Sequence, residues 1–395
     1  MKKTTYLLLI LLMLASCVEE FKIPQTVSDE YKSEVVVQGR ILAGETSVIY
    51  VSYTTPFGEE DMAPIVRDAE VTIIGENGYK SETAEYEPSN TCYIIDTKEL
   101  PTDTRYAVEV KLDGETYQSE YLTIVDSPDI DEVTYRKQNQ GISIHVTTLA
   151  EAGQARHYMW SYEEDWEIHA ELDLIRMSTT VTPYYSNRFY TFENPEVNPY
   201  YYCWLHNTSR NVNLYSTDAL DGNTVKDVKL MEIPIDDIRL SYIYSILVKQ
   251  WSLSESAYIY YNTLEKYTES GGSLFAPMPS EIQGNVTCTS NPNKKARGYV
   301  LASTVKEKRL FVYQSDLKGM GPFYEDCYAE YPPNPLYNTW EKGWEFRVEN
   351  YGYVVVSNDG KINSGAVIYL PECFDCRKTK GATKKRPYFW PNNHE

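Results

Sequence analysis

Residues 106–125 restrict the fold of this chain more than any other stretch. Tyr106-Ala107-Val108-Glu109-Val110 alternates apolar and polar side chains with the period of a β-strand. Asp113-Gly114 then supplies a tight turn, with glycine accepting positive φ, and Tyr117 to Val125 runs back. Similar short β-patterned runs occupy 35–39, 47–53, 69–73 and 91–96. After a break at Ser127-Pro128 they resume at 142–146, 158–162, 188–192, 240–248, 298–302, 309–313 and 352–356. A chain so patterned folds into packed, mainly antiparallel sheets. One segment has helical spacing instead: Ser252 and Glu255 read as a capping box, Leu253, Ala257, Tyr260, Leu264 and Tyr267 form a stripe, and Gly271-Gly272 closes it. This predicts one long helix over 253–269.

The N-terminus is an address. Lys2 and Lys3 precede one apolar run, Tyr6 to Leu14, which is shorter than the ~20 residues of a membrane span. It ends in Leu14-Ala15-Ser16-Cys17, a match to the lipobox. Residues 1–16 are therefore expected to be a lipoprotein signal peptide, Cys17 the lipidated residue that anchors the chain to a membrane, and 17–32 a polar tether. Glu19 and Glu20 just behind the cysteine resemble the export signal that sends lipoproteins of Bacteroidota to the outer face of the outer membrane. Composition argues against other destinations. Hydrophobic residues at 42% and charged residues at 24% are ordinary for a globular protein, while loss of the signal takes the net charge from −20 to −22. Charge at that level disfavours nucleic acid and anionic membrane surfaces as partners.

The search for chemistry gives few leads. No G-x-S-x-G, H-E-x-x-H, Walker or dinucleotide-binding loop occurs, and neither a cofactor nor a metal is expected. Glu163, Glu164, Asp165, Glu167 and His169 could hold a glycosidase acid and base, but such a run reads first as a solvated face. Tyrosine is the compositional outlier, with 36 copies against 10 phenylalanines. Tyr184, Tyr185, Tyr190, Tyr200, Tyr201, Tyr202 and Trp204 crowd one stretch. They suit stacking on a sugar or gripping a protein, and equally the filling of a sandwich core. Arg377, Lys378, Lys380, Lys384, Lys385 and Arg386 make one basic cluster in an acidic chain. It is either a docking patch for an acidic partner or phosphate, or a solvated loop. Six cysteines follow the lipobox. Cys373 and Cys376 form a CxxC without a second such pair or a histidine at ligand spacing, so structural disulfides are expected. Cys288 and Cys327, in the same half of the chain, are the expected partners or neighbours, with Cys92 left as a buried thiol.

Two resemblances add to this. Leu100, Thr104 and Tyr106 resemble the E–F corner of fibronectin type III domains, where the tyrosine hydroxyl bonds back to the main chain. The fold class expected is thus mainly β. An immunoglobulin- or fibronectin-III-like sandwich over 33–126 is followed, across a wet linker at 126–131, by a larger β-rich domain over 127–395 carrying the helix and a cysteine-containing C-terminal segment. More broadly, the lipobox and acidic pair, Tyr202-Cys203-Trp204, Glu281 to Cys288, Gly298-Tyr299-Val300 and the closing Cys373-x-Asp375-Cys376-Arg377, Gly381-x-Thr383 and Pro387-x-Phe389-Trp390 together resemble the Bacteroidota lipoprotein family catalogued as domain of unknown function 4249. The resemblance supplies no catalytic residues. It implies a surface-exposed, non-enzymatic binding or accessory subunit of a TonB-dependent nutrient transporter, with a small-molecule, glycan or peptide ligand. The alternatives are a structural or assembly lipoprotein that binds only protein and, further off, a glycan hydrolase.

Overall fold

The computed structural model describes residues 33–55, 63–151, 153–170, 200–209, 213–270, 282–317 and 375–391, together with Cys373 and four three-residue strands. In chain order the strands are β1 (Val35–Ala43), β2 (Thr46–Tyr53), β3 (Glu70–Gly75), β4 (Glu85–Glu87), β5 (Cys92–Asp96), β6 (Arg105–Leu112), β7 (Glu115–Ser119) and β8 (Leu122–Thr123). Next come β9 (Glu132–Gln138), β10 (Gly141–Thr148), β11 (His157–His169), β12 (Arg176–Ser178), β13 (Phe189–Thr191), β14 (Tyr202–Thr208), β15 (Asn213–Ser216), β16 (Val225–Pro234) and β17 (Ile243–Leu253). The helix α1 (Glu255–Ser270) precedes β18 (Val286–Cys288), β19 (Ala296–Arg297), β20 (Val300–Tyr313), β21 (Val354–Val356) and β22 (Val367–Tyr369). The protein is mainly β, as its alternation dictates.

Period-two patterning builds the first sandwich directly. One layer is β1-β2-β5-β4 and the other β18-β7-β6-β3. Val37, Ile41, Ile49 and Val51 from the first pack against Val71, Ile73, Val108 and Val110 from the second. Asp113 and Gly114 both take positive φ, 52° and 77°, and close the β6–β7 hairpin with Leu112 opposite Glu115. Tyr106 is fully buried and lies edge-on to Tyr79 at 5.6 Å, but its hydroxyl has no hydrogen-bond partner among the described residues. The bond expected of a tyrosine corner is therefore not made among the described residues, and the ring is held by its packing.

The sheets do not divide where the sequence suggested. β18, from far along the chain, completes the sandwich by pairing with β7, Val286 opposite Ser119. β20 pairs in parallel with β1, from Gly39 opposite Val300 to Ala43 opposite Thr304, and then runs on to pair antiparallel with β17. A single long sheet, β14-β11-β17-β20-β1-β2-β5-β4, thus passes through both halves. The supposed wet linker is part of this junction. Ser127 is 1% exposed and Ile130 5%, and the Pro128 carbonyl accepts from the side chain of buried Gln250 at 2.8 Å.

In the second half, one face of the long sheet (Tyr158, Trp160, Tyr244, Ile246, Val248) packs on Ile142, Ile144, Val146 and Ile233 of the small sheet β16-β10-β9. The opposite face is covered by α1, with Ala257 and Tyr260 over Met159, Trp251 and Leu253. The helix starts two residues later than its expected cap: Ser254 Oγ accepts from the Ala257 N–H at 3.2 Å. Ser252 stays on β17 because the ladder to β11 continues through Leu253 opposite His157. Its hydroxyl bonds Ser127.

Register gives the molecule two poles. One pole is the start of β1, where Val36 lies opposite Arg297. From there to Tyr313 at the far end of β20 the chain advances roughly 50 Å at ~3.3 Å per residue. Tyr313 pairs with Ile243, and on that distal pole stand the end of β11 and the start of β14, His169 opposite Tyr202.

Candidate functional site

The distal pole joins two features that are separate in the sequence. β14 is the edge of the long sheet, and the C-terminal segment wraps around it. On one face Cys376 forms a disulfide with Cys203 and packs with Ile168 and Leu205. At the edge, Thr383 exchanges two 2.9 Å main-chain bonds with Trp204. On the other face Trp390 is buried with Trp204 and Ile243. This covering satisfies part of a sheet edge that would otherwise offer open donors and acceptors.

The disulfide differs from expectation. Cys376 pairs with Cys203, 173 residues away, and not with Cys288, which is a buried free thiol. The reason is positional: Cys288 lies on β18 with its side chain in the sandwich core, a different cluster from the one that holds Cys203 and Cys376. Cys373 is itself disulfide-bonded and buried. Cys92 is a buried free thiol. Cys327, like Cys17, Glu19, Glu20, Tyr184 and Tyr185, lies outside the described residues.

The acidic run on β11 is no solvated face. Glu164, Asp165 and Glu167 are each at most 5% exposed. Strand alternation sends Glu164 to one side of the sheet and Asp165, Glu167 and His169 to the other. Glu164 accepts from Arg239 at 2.6 Å, the Tyr244 hydroxyl at 2.7 Å and Asn207 at 2.9 Å. Burial opposes ionisation of Arg239 and Asp237, yet their mutual pairing holds Asp237 lowered and Arg239 raised. Burial, with the Glu164 carboxylate beside it, pushes the Tyr244 hydroxyl well above its ordinary value. Asp165 bonds His206 at 2.8 Å and Arg309 at 3.3 Å. Glu167 accepts from the Trp390 indole at 2.9 Å and lies 2.5 Å from His169, whose ring meets those of Tyr201, Tyr202 and Tyr242. These acids act as anchors: two hold strands together and Glu167 fastens the C-terminal segment. The signal available in the sequence was the His206-x-Trp204 alternation, which faces Asp165-x-Glu167 residue for residue.

What the arch displays is cationic. Arg377 lies over the Tyr200 ring at 3.4 Å and forks onto Asp375 at 2.8 and 2.7 Å. Burial raises the Asp375 carboxyl, and the Arg377 contacts more than reverse this, leaving it lowered. Arg386 is used internally, donating to the carbonyls of Trp390 and Pro391. Lys378, Lys380, Lys384 and Lys385 are exposed, and none has a carboxylate partner among the described residues. Lys384 donates to the Tyr202 carbonyl, and partial burial followed by repulsion from Arg377 lowers its pKa. Tyr388 beside them is 97% exposed. Of the candidate surface residues, then, Tyr200, Arg377, Lys378, Lys384 and Lys385 come together. Trp204 is buried under the segment, and Arg386 braces it.

Among the described residues no group of three or more histidine, cysteine or acidic side chains is placed to hold a metal ion, and no helix is long and apolar enough to cross a membrane. The family model described as a domain of unknown function (DUF4249) matches residues 19–309, nearly three quarters of the chain, and the chain belongs to that family. The matched region includes the whole sandwich, the buried acids of β11 and the helix, and ends before the C-terminal arch. No curated protein matches the chain.

Proposed function

We propose that this member of the family is a lipid-anchored, cell-surface binding subunit that works beside an outer-membrane transporter and performs no chemistry of its own. The observation that carries the reading is the Leu14-Ala15-Ser16-Cys17 lipobox behind a single short apolar run. The fold supports it through polarity. A tether starting at Cys17 enters one pole of an elongated sheet, and the cationic, tyrosine-flanked arch stands at the other, away from the anchored end. A stapled surface loses less entropy on docking than a loose tail, which suits a partner-binding role.

The test begins with Cys17→Ser in the native host. The precursor is expected to remain unprocessed by the lipoprotein peptidase; normal maturation and membrane attachment would overturn the anchor. Exchange of Glu19 and Glu20 for alanine is expected to keep the lipid while removing protease accessibility on intact cells. Affinity purification from solubilised membranes is then expected to recover an outer-membrane barrel with the wild-type chain. Recovery of none would favour the alternative of a purely structural lipoprotein.

A further inference from the structure

The arch is too specifically built to be only a docking strip. Three of its properties, taken together, describe a ligand. Its charge has no ion-paired carboxylate among the described residues: four lysines lie within eight residues, while the rest of the chain is strongly acidic. Its cations are of one kind. Both arginines are committed internally, Arg377 to Asp375 and Arg386 to main-chain carbonyls, so the surface presents lysine ammoniums. A lysine is a compact point charge that meets a carboxylate or sulfate from any direction, whereas arginine favours a planar fork. Finally, flat rings flank the lysines: Tyr388 is almost wholly exposed, and Tyr200 lies under Arg377 beside them.

We propose that the arch binds an anionic polysaccharide. Carboxylate or sulfate groups along the polymer lie against Lys378, Lys380, Lys384 and Lys385, and a pyranose ring stacks on Tyr388. This rests on the reading of the chain as a surface binding subunit and names its ligand class. The surface is charged and its lysines fall within one short segment, which fits a linear polymer better than the broad apolar-centred contact of a stable protein interface. The disulfide to Cys203, the Thr383–Trp204 pairing and the buried Trp390 fix the spacing of the cations, so the polymer meets a preformed row.

The experiment uses the detergent-solubilised full-length protein in native affinity gels containing polygalacturonate, chondroitin sulfate or neutral dextran. Retardation by at least one of the two anionic polymers and none by dextran is expected, fading at high salt. Joint replacement of Lys378, Lys380 and Lys385 by serine, which spares the Lys384 bond to the Tyr202 carbonyl, is expected to weaken binding at least about tenfold with the melting temperature unchanged. Tyr388→Ala, which leaves the charge intact, is expected to weaken it by a smaller factor, an effect that charge alone would not produce. Equal migration of wild type and the lysine variant, retardation by dextran to the same degree, or binding only to phosphatidylglycerol vesicles would each overturn the proposal. An unaltered Tyr388→Ala protein would overturn the stacking contact. Transporter co-purification on the same variants reads the other claim separately. Polysaccharide binding without co-purification overturns the accessory role alone, and co-purification without polysaccharide binding overturns the ligand assignment alone.

Discussion

The two halves of the long sheet are held together by opposite means. Around β1–β7 the interior is apolar, and its buried polar residues are Ser47, Thr72, Thr97 and Ser119, none of them ionisable. Beyond residue 127 the interior holds Glu164, Asp165, Glu167, His145, His157 and Asp375. The first half needs only the alternation of its strands to choose a face. The second half must also fix one pole against which a C-terminal segment can be fastened, and a buried carboxylate satisfied by particular donors accepts only one arrangement of them. The difference places specificity where the displayed surface is, and leaves the sandwich end generic.

Four substitutions, one exposed-pair control and acidification test that contrast. The largest effect is expected from Arg239→Met, which leaves Glu164 buried with one cation fewer and should cost about 3–5 kcal/mol in a denaturant titration. A comparable loss from an exposed ion pair of the sandwich, such as Lys111→Ala opposite Glu70, would erase the contrast. Acid probes the same region. Asp237 and Asp375 have lowered pKa values in the folded state, so their stabilisation is present above the unfolded carboxyl value of about 3.9 and is lost as pH falls through the folded one. Amide exchange on acidification should accordingly quicken first around β11, β14 and the arch, ahead of β1 and β6.

Next in size is Cys376→Ser. It opens a cross-link spanning 173 residues and should lower stability by about 2–4 kcal/mol, with exchange protection lost at β14 and retained in β6. Uniform loss across both halves would show one cooperative unit in place of two regimes. Trp390→Phe removes the indole donor to Glu167 while keeping an aromatic ring in place. A cost of about 1–3 kcal/mol is expected, with proteolytic release of the arch as a second readout. The smallest effect belongs to the sandwich. Tyr106→Phe deletes a hydroxyl that has no partner among the described residues, so the change should stay within about 0.5 kcal/mol. A cost above about 1 kcal/mol would mean that the hydroxyl is bonded after all.

The sandwich was legible because its information is local. Alternation at 106–110 and the Asp113-Gly114 turn each fix a piece of backbone without help from elsewhere, and the expected hairpin is present. Even there, the Leu100-Thr104-Tyr106 pattern gave the right burial and the wrong bond, because a spacing motif places a ring without stating what its hydroxyl will meet. The helix was found, but with its cap two residues early. Ser252, with Glu255 three residues on, carries the stronger local signal, and only the β11–β17 ladder overrides it. The acidic run on β11 was read as wet, since nothing in residues 163–169 announces Arg239, Arg309 or Trp390.

By itself the sequence determined the mainly β fold, the helix and the basic composition of residues 377–386, all properties of contiguous residues. Only the tertiary structure decided that β20 bridges both halves, that Cys376 meets Cys203, and that the basic segment and Tyr200 form one surface at the pole away from the start of β1. Those contacts join residues more than a hundred positions apart. Closing such loops depends on which sheets pack and in what register, and a short window of sequence carries no record of that choice.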